Sequence, residues 1–129
     1  MDNNTNYAKA WFNYAQNDFE AAEILFKQIK PKYEIICYHC QQSAEKMLKG
    51  YLAMQNYKLL KTHDLVVLCE AASKYEINFN QILNTCSDLT IFASEVRYPN
   101  SFEIDDYHTR KALQDSKSIM TFVDNLITQ

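Results

Sequence analysis

The sequence predicts an all-α fold, a helical bundle that forms one domain over residues 1–129. Three observations favour this class. The chain has one glycine and two prolines, too few for the many tight turns of an all-β fold. Apolar residues recur with helical spacing along most of the chain. The segments between these amphipathic stretches are short, as they are in bundles of antiparallel helices.

The first predicted helix covers about residues 6–29. Its apolar side chains keep i, i+3, i+4 spacing, and they are Ala8, Trp11, Phe12, Ala15, Phe19, Ala22, Leu25, Phe26 and Ile29. Pro31 ends this helix, because proline cannot continue the hydrogen-bond ladder. We expect the aromatic series Trp11, Tyr14, Phe19 and Phe26 to lie mostly in the core and not to form a stacking surface for bases.

The second predicted helix, about residues 33–55, has two chemically different sides. At roughly 100° per residue, one side carries a polar stripe, which consists of His39, Gln42, Lys46 and Lys49. The apolar side consists of Cys37, Cys40, Ala44, Met47, Leu48 and Tyr51. Glu45 and Lys49 form an i,i+4 pair, which we expect on the exposed side.

Two shorter helices follow the second one. Thr62 or Asp64 is expected to cap the third helix, which runs from Leu65 to about residue 72. Asn78 and Gln81 resemble a capping box and predict the start of a fourth helix, which continues to about residue 96.

The fifth predicted helix covers about residues 104–127, with Ala112, Ile119 and Val123 among its inward side chains. The segment 97–100 separates it from the fourth helix, because the residue before Pro99 avoids helical backbone. The result is a five-helix bundle with short connections.

The four cysteines at positions 37, 40, 69 and 86 are interpreted as core residues. Cys37 and Cys40 form a C-x-x-C, but they lie in apolar register and no second pair matches them. Packing is therefore favoured over zinc or redox chemistry, and no metal or cofactor is expected. The amino terminus lacks a basic start with an apolar stretch, and no apolar run reaches membrane-spanning length. These features predict a cytoplasmic protein with reduced thiols and no membrane association.

Charge is distributed unevenly along the chain, although the net charge is only −3. The segment 46–63 has four lysines and no acid, whereas the segment 64–106 has eight acids against two basic residues. The polar stripe is therefore interpreted in two ways, as a solvated helix face or as an anion site with ammonium, amide and imidazole donors. Lys61 and His63 precede a helix start, where either a phosphate or simple capping is expected.

Arg97 is one of only two arginines, and it stands at the end of the predicted fourth helix. It either interacts with the last carbonyl groups of that helix or, with Tyr98 and Pro99, forms a rigid phosphate clamp. His108 begins the next helix and is the nearest histidine along the chain. Spacing alone leaves open whether Arg97 and His108 converge.

Several blocks of this sequence resemble the HEPN domain family. The first block runs from Cys37 to Lys49, the second is Lys61-Thr62-His63-Asp64-Leu65, and the third is Arg97-Tyr98-Pro99. Trp11, Ala15, Asp18 and Ala22 in the first predicted helix also fit, so that the resemblance spans about residues 7–127.

This resemblance implies a five-helix, up-and-down, HEPN-like bundle that tends to dimerise. Many relatives are encoded beside a minimal nucleotidyltransferase and act as toxin–antitoxin pairs, and others are thought to bind nucleotides. In ribonuclease branches, an arginine and a histidine a few residues later act together on the RNA phosphate and 2′-hydroxyl. Arg97 matches the arginine, but the corresponding window at 102–104 holds no histidine and His108 lies beyond it.

Three functions remain open from the sequence. The favoured one is a non-enzymatic module that binds a nucleotide, or a partner bearing one, through His39, Gln42, Lys46, Lys49, Lys61, His63, Arg97 and Tyr98. The second is a ribonuclease toxin in which Arg97 acts with His108, or with His63 of a neighbouring subunit. The third is a dimerising adaptor whose polar stripe meets another protein. A homodimer and a minimal nucleotidyltransferase are the expected partners.

Overall fold

A computed structural model describes residues 3–94 and 103–128, and all regular structure in these two ranges is helical. The α-helices are α1 (Asn3–Phe26), α2 (Tyr33–Met54), α3 (Leu65–Ser73), α4 (Leu83–Leu89) and α5 (Asp106–Ile127). Two 3-10 segments, Ile77–Ile82 and Thr90–Ala93, flank α4. The predicted all-α class and the number of α-helices are confirmed.

Helix α2 is the central element, because α1, α3 and α5 all pack against it. It runs antiparallel to α1, since Lys49 lies over the Trp11 ring near one end and Lys46 pairs with Asp18 further along. It runs parallel to α5, where the Cys37 thiol lies 3.7 Å from the Thr109 hydroxyl. The Ser43 and Ser116 hydroxyls are also hydrogen-bonded between these two helices.

The apolar side of α2 forms the middle of the core, as its spacing predicted. All of its members are buried, namely Cys37, Cys40, Ala44, Met47, Leu48 and Tyr51. Near the end of α2, Gly50 faces the ring of Phe12 on α1. A Cβ atom at position 50 would lie only 2.4 Å from a carbon of that ring. A larger residue at position 50 would therefore force the Phe12 ring or the neighbouring helix to shift.

Helix α1 ends at Phe26, earlier than predicted. The backbone N–H of Lys27 donates to the Ile24 carbonyl, so the last turn tightens to i→i−3 bonding before Pro31 is reached. Ile29, which the spacing placed on the inward face, is therefore outside the helix and 99% exposed.

The prediction of the fourth helix is wrong about the residue at which the segment starts and about its being one continuous α-helix. Glu76, not Asn78, caps the segment, and its carboxylate accepts a hydrogen bond of 3.1 Å from the Asn78 backbone N–H. Gln81 donates to the Asn78 side chain instead of closing a capping box. Only Leu83–Leu89 is α-helical, because the backbone on either side adopts the tighter 3-10 geometry.

The remaining helix ends agree with the predictions more closely. Asp64 caps α3 by accepting from the Val66 backbone N–H at 2.9 Å, which decides between Thr62 and Asp64. Asp105 caps α5 by accepting from the His108 backbone N–H at 2.9 Å. The predicted stop at 97–100 lies outside the described residues.

Candidate functional site

The polar stripe of α2 packs against α1 instead of facing open solvent. Asp18, on α1, is only 14% exposed at its side chain and lies between two members of the stripe. Its Oδ1 is 2.9 Å from His39 Nδ1, and its Oδ2 accepts a hydrogen bond of 2.6 Å from Lys46 Nζ. The interpretation of the stripe as a solvated face is therefore wrong in this part of the helix.

Glu45 is the second acidic centre, and its side chain is 4% exposed. Its Oε2 accepts a 2.9 Å hydrogen bond from Lys49 Nζ, while its Oε1 lies 2.9 Å from His63 Nδ1. Gln42 Nε2 also donates to Oε1, at 3.2 Å. The predicted Glu45–Lys49 pair exists, but both partners are buried and not exposed, because α1 and the segment before α3 cover this part of α2.

Gln41 is a member of this network that the sequence analysis missed. It is fully buried, and its Nε2 donates to the His63 backbone carbonyl at 2.8 Å. Gln42 Nε2 donates in turn to Gln41 Oε1 at 2.7 Å. Its position one helical turn before Glu45 was the available signal, since side chains at i and i+4 share a face.

These residues form two neighbouring hydrogen-bonded groups along α2, which we call together the α1–α2 polar cluster. One group is Asp18, His39 and Lys46, and the other is Gln41, Gln42, Glu45, Lys49 and His63. The two lysines of the cluster balance its two carboxylates, so the cluster is neutral when both imidazoles are neutral. The cluster therefore offers donors that the carboxylates of Asp18 and Glu45 hold in place, and its formal charges cancel.

Two aromatic side chains of α1 lie beside the lysines of this cluster. Lys49 Nζ is 5.8 Å from the centroid of the Trp11 ring, and Lys46 Nζ is 6.0 Å from that of Tyr14. Phe19 is buried as predicted, but Tyr14 is 60% exposed and so does not belong to the core. The rings position the ammonium groups at the edge between the protein interior and solvent.

His63 is the part of the cluster that faces solvent most openly, with 72% of its side chain exposed. Lys61, two residues earlier, is also exposed. The start of α3 beside them is already occupied, because Asp64 binds the Val66 N–H and Thr90 Oγ1 accepts from the Leu65 N–H at 2.9 Å. The structure thus supports capping at this helix start and not a phosphate held by its backbone N–H groups.

His108 lies away from the cluster, in a groove of about 270 Å³ between α5 and the α4 region. Its Nδ1 is 2.6 Å from Asp105 Oδ1, and its hydrogen bonds, above all that of the backbone N–H, lower the pKa of Asp105. Lys111 in the same groove binds Asp115 at 2.6 Å and Asp88 at 3.2 Å. These acids make the groove a poor phosphate site.

Arg97 and Tyr98 lie outside the described residues. The 3-10 segment Thr90–Ala93, which precedes them in the sequence, lies between the two candidate histidines. On one side, Thr90 Oγ1 donates to the His63 carbonyl at 3.5 Å. On the other side, this segment lines the His108 groove.

The cysteines lie in the core, as expected. All four are buried free thiols. Burial is the largest effect on Cys37 and Cys40, and it raises the pKa of Cys37 to about 11 and the pKa of Cys40 further. Within residues 3–94 and 103–128, no group of three or more His, Cys, Asp or Glu side chains is arranged to hold a metal ion.

No helix in the described part of the chain is long and apolar enough to cross a membrane. No curated protein sequence matches the chain.

Two solved structures share this fold. One is the crystal structure of TT1696 from Thermus thermophilus, with a TM-score of 0.79, 20% identity and coverage of 92% of this chain and 96% of that one. The other is the crystal structure of ST0689, an archaeal HEPN homologue, with a TM-score of 0.71, 21% identity and coverage of 93% of this chain and 97% of that one. In sequence, the family model of the HEPN domain matches residues 8–126, which is nearly the whole chain. The chain therefore belongs to the HEPN domain family.

Proposed function

We propose that this HEPN domain binds a nucleotide or a short RNA segment at the open edge of the α1–α2 polar cluster. The observation that carries the proposal is that two carboxylates hold donors from two segments in place. Asp18 holds His39 and Lys46 of α2, and Glu45 holds His63 of the segment before α3. Groups held in this way lose little conformational freedom when a phosphate arrives. Lys61 adds an exposed cation on the same segment as His63.

The distribution of charge supports a phosphate ligand at this edge. Lys46 and Lys49 are neutralised inside the cluster, so they orient the site more than they attract an anion. The attraction then depends on Lys61, on the imidazoles of His39 and His63, and on Arg97. The segment Thr90–Ala93 contacts the His63 carbonyl through Thr90, and Arg97 follows this segment by four residues in the sequence.

Tyr98 completes the proposed set of ligand-binding residues, and Gln42 orients the ligand. The partners we propose are a second copy of this chain and a minimal nucleotidyltransferase, as in a toxin–antitoxin pair, in the cytoplasm.

The binding proposal is tested by fluorescence anisotropy with labelled ATP, labelled GTP and a short labelled single-stranded RNA. We expect His63→Gln and Arg97→Gln each to weaken binding about tenfold, since a charged hydrogen bond contributes about 1.5–3 kcal/mol. Lys74→Gln, at an exposed lysine that caps the carboxyl end of α3, is the matched control and leaves binding unchanged.

Binding should also weaken steeply as salt rises, because phosphate contacts release counterions. Absence of binding to all three probes at about 1 mM, a concentration at which even weak complexes of about −4 kcal/mol form, would refute the proposal. Equal losses of affinity for His63→Gln and Lys74→Gln would mean that the ligand binds elsewhere than at the cluster.

A second candidate function, RNA cleavage, is favoured by the pairing of His63 with Glu45. A carboxylate on Nδ1 orients an imidazole so that its other nitrogen faces outward, as a general base requires. In this mechanism the outward nitrogen of His63 accepts the 2′-hydroxyl proton while the 2′-oxygen bonds to phosphorus. The bond from phosphorus to the 5′-oxygen breaks, the 5′-oxygen takes a proton from water, and Arg97 stabilises the charge on the phosphate. His108 is the alternative base.

Incubation of labelled RNA with the wild type, Arg97→Ala, His63→Gln and His108→Gln distinguishes these functions. Cleavage that is lost with Arg97→Ala and with one of the two histidine variants would establish the ribonuclease and identify its base. Binding without cleavage by the wild type supports the non-enzymatic module.

A further inference from the structure

A groove separates α1 from α5. Both helices pack on α2, and between them lie two adjoining cavities of about 480 and 300 Å³. Phe19 and Lys117 line both cavities, so the two form one continuous groove. We call it the α1–α5 groove.

The apolar lining of this groove repeats every seven residues on both helices. On α1 the repeat consists of Phe12, Phe19 and Phe26, and on α5 it consists of Leu113, Met120 and Ile127. The polar lining follows the same period, with Gln16 and Glu23 on α1 and with Arg110, Lys117 and Asp124 on α5. A seven-residue repeat is the pattern with which helices pack side by side as knobs into holes.

The length of the groove also matches a helix. At one end the Arg110 guanidinium lies 4.9 Å from the centroid of the Phe26 ring, and at the other end Phe12 and Ile127 line the same cavity. From Phe12 to Phe26 the helix rises by fourteen residue steps, which correspond to about 21 Å of helix axis, or about four turns. Small ligands do not require a repeat of this length.

The charges along the groove indicate which kind of helix fits. Its Phe26 end is lined by Lys27, Arg110 and Lys117 against one acid, Glu23, although the whole chain carries a net charge of −3. Arg110 is bound to Asp106 at 2.6 Å, whereas Lys27 and Lys117 have no acidic partner within the described residues. Most of this positive charge lies on the α5 rim.

We propose that the α1–α5 groove binds an amphipathic helix of a partner protein, with an apolar seam of heptad period and an acidic edge that faces α5. The apolar seam fills the space between the two aromatic and aliphatic repeats. The acidic edge pairs with Lys117 and Arg110. This surface is distinct from the α1–α2 polar cluster, so the proposal does not depend on nucleotide binding.

The test uses a synthetic helical peptide of about 18 residues, which is about 27 Å long, with leucines in heptad spacing and glutamates along one edge. Its binding to the full chain is measured by fluorescence anisotropy at low salt. A second peptide, with lysines in place of the glutamates, is the matched probe. We expect the glutamate peptide to bind at least about tenfold more tightly than the lysine peptide.

Lys117→Glu reverses the key charge at an exposed position and should not disturb folding, which circular dichroism verifies. This variant should weaken binding of the glutamate peptide at least about tenfold and strengthen binding of the lysine peptide. Lys74→Glu makes the same charge change outside the groove and should alter the binding of neither peptide. RNA or nucleotide binding should be the same in Lys117→Glu and the wild type, which separates this test from that of the α1–α2 polar cluster.

Three results would overturn the proposal. The first is the absence of peptide binding at about 1 mM. The second is equal binding of the two peptides, or equal effects of Lys117→Glu and Lys74→Glu. The third is a wild-type dimer in light scattering that Lys117→Glu converts to a monomer, because the groove would then hold a second copy of this chain.

Discussion

Removal of the Glu45 carboxylate is the sharpest test of the α1–α2 polar cluster. In the wild type, Lys49 and Glu45 are 8% and 4% exposed at their side chains, and their charged atoms are 2.9 Å apart. Glu45→Ala leaves the Lys49 ammonium buried without an anion, and it also removes the acceptor of His63 and Gln42. We expect a loss of about 3–5 kcal/mol in the free energy of unfolding, a large part of the typical 5–15 kcal/mol.

The assay is urea denaturation followed by circular dichroism, with the wild type and variants compared at one pH. Glu45→Ala combined with Lys49→Met should lose less than Glu45→Ala alone, because no unpaired charge remains. Glu70→Ala, an exposed acid on α3, is the control and should change stability by no more than about 0.5 kcal/mol. A loss below about 1 kcal/mol for Glu45→Ala, or an equal loss in the double variant, contradicts a buried and paired carboxylate.

Three further predictions concern the core and one turn. Gly50→Ala should lower the free energy of unfolding by about 1–2 kcal/mol in thermal denaturation, because the cost of overpacking against Phe12 exceeds the gain of about 1 kcal/mol in helix propensity. Adding Phe12→Leu to Gly50→Ala should recover part of this loss. Asn56 has φ 59°, so Asn56→Gly should be tolerated, whereas Asn56→Val should cost about 1–2 kcal/mol in the same measurement. Burial raises the pKa of Cys37 from 9.0 to about 11. The stability that depends on a protonated Cys37 thiol is therefore complete below pH 9 and is lost as the pH rises to 11. Cys37→Ala should flatten the fall of the urea midpoint across that range.

The sequence carried enough information to place α2 and to orient its apolar side, since helical periodicity is local. It did not show that the polar stripe faces α1. That arrangement depends on Asp18, which precedes Lys46 by 28 residues and meets it only after the two helices have packed. The length of the stripe was therefore predictable, whereas its burial was a consequence of tertiary structure.

The backbone type of the segment from residue 77 to residue 93 was also not predictable from apolar periodicity. Phe79, Ile82, Cys86, Leu89 and Phe92 are buried, and they recur three or four residues apart as the inward face of a helix does. The backbone is nevertheless 3-10 at both ends of this stretch. Apolar side chains three or four residues apart satisfy both helix types, so periodicity alone does not separate them.

The absence of a side chain at Gly50 bears on the Asp18 contacts further along the α1–α2 interface. The Phe12 ring rests directly on the α2 backbone there, and six residues further along α1 the Asp18 carboxylate spans the remaining gap to His39 and Lys46. A methyl group at position 50 would force a shift of the Phe12 ring or of α1, the helix that also carries Asp18. The tolerance of the proposed ligand edge to mutation is thus set partly by a position that no ligand touches.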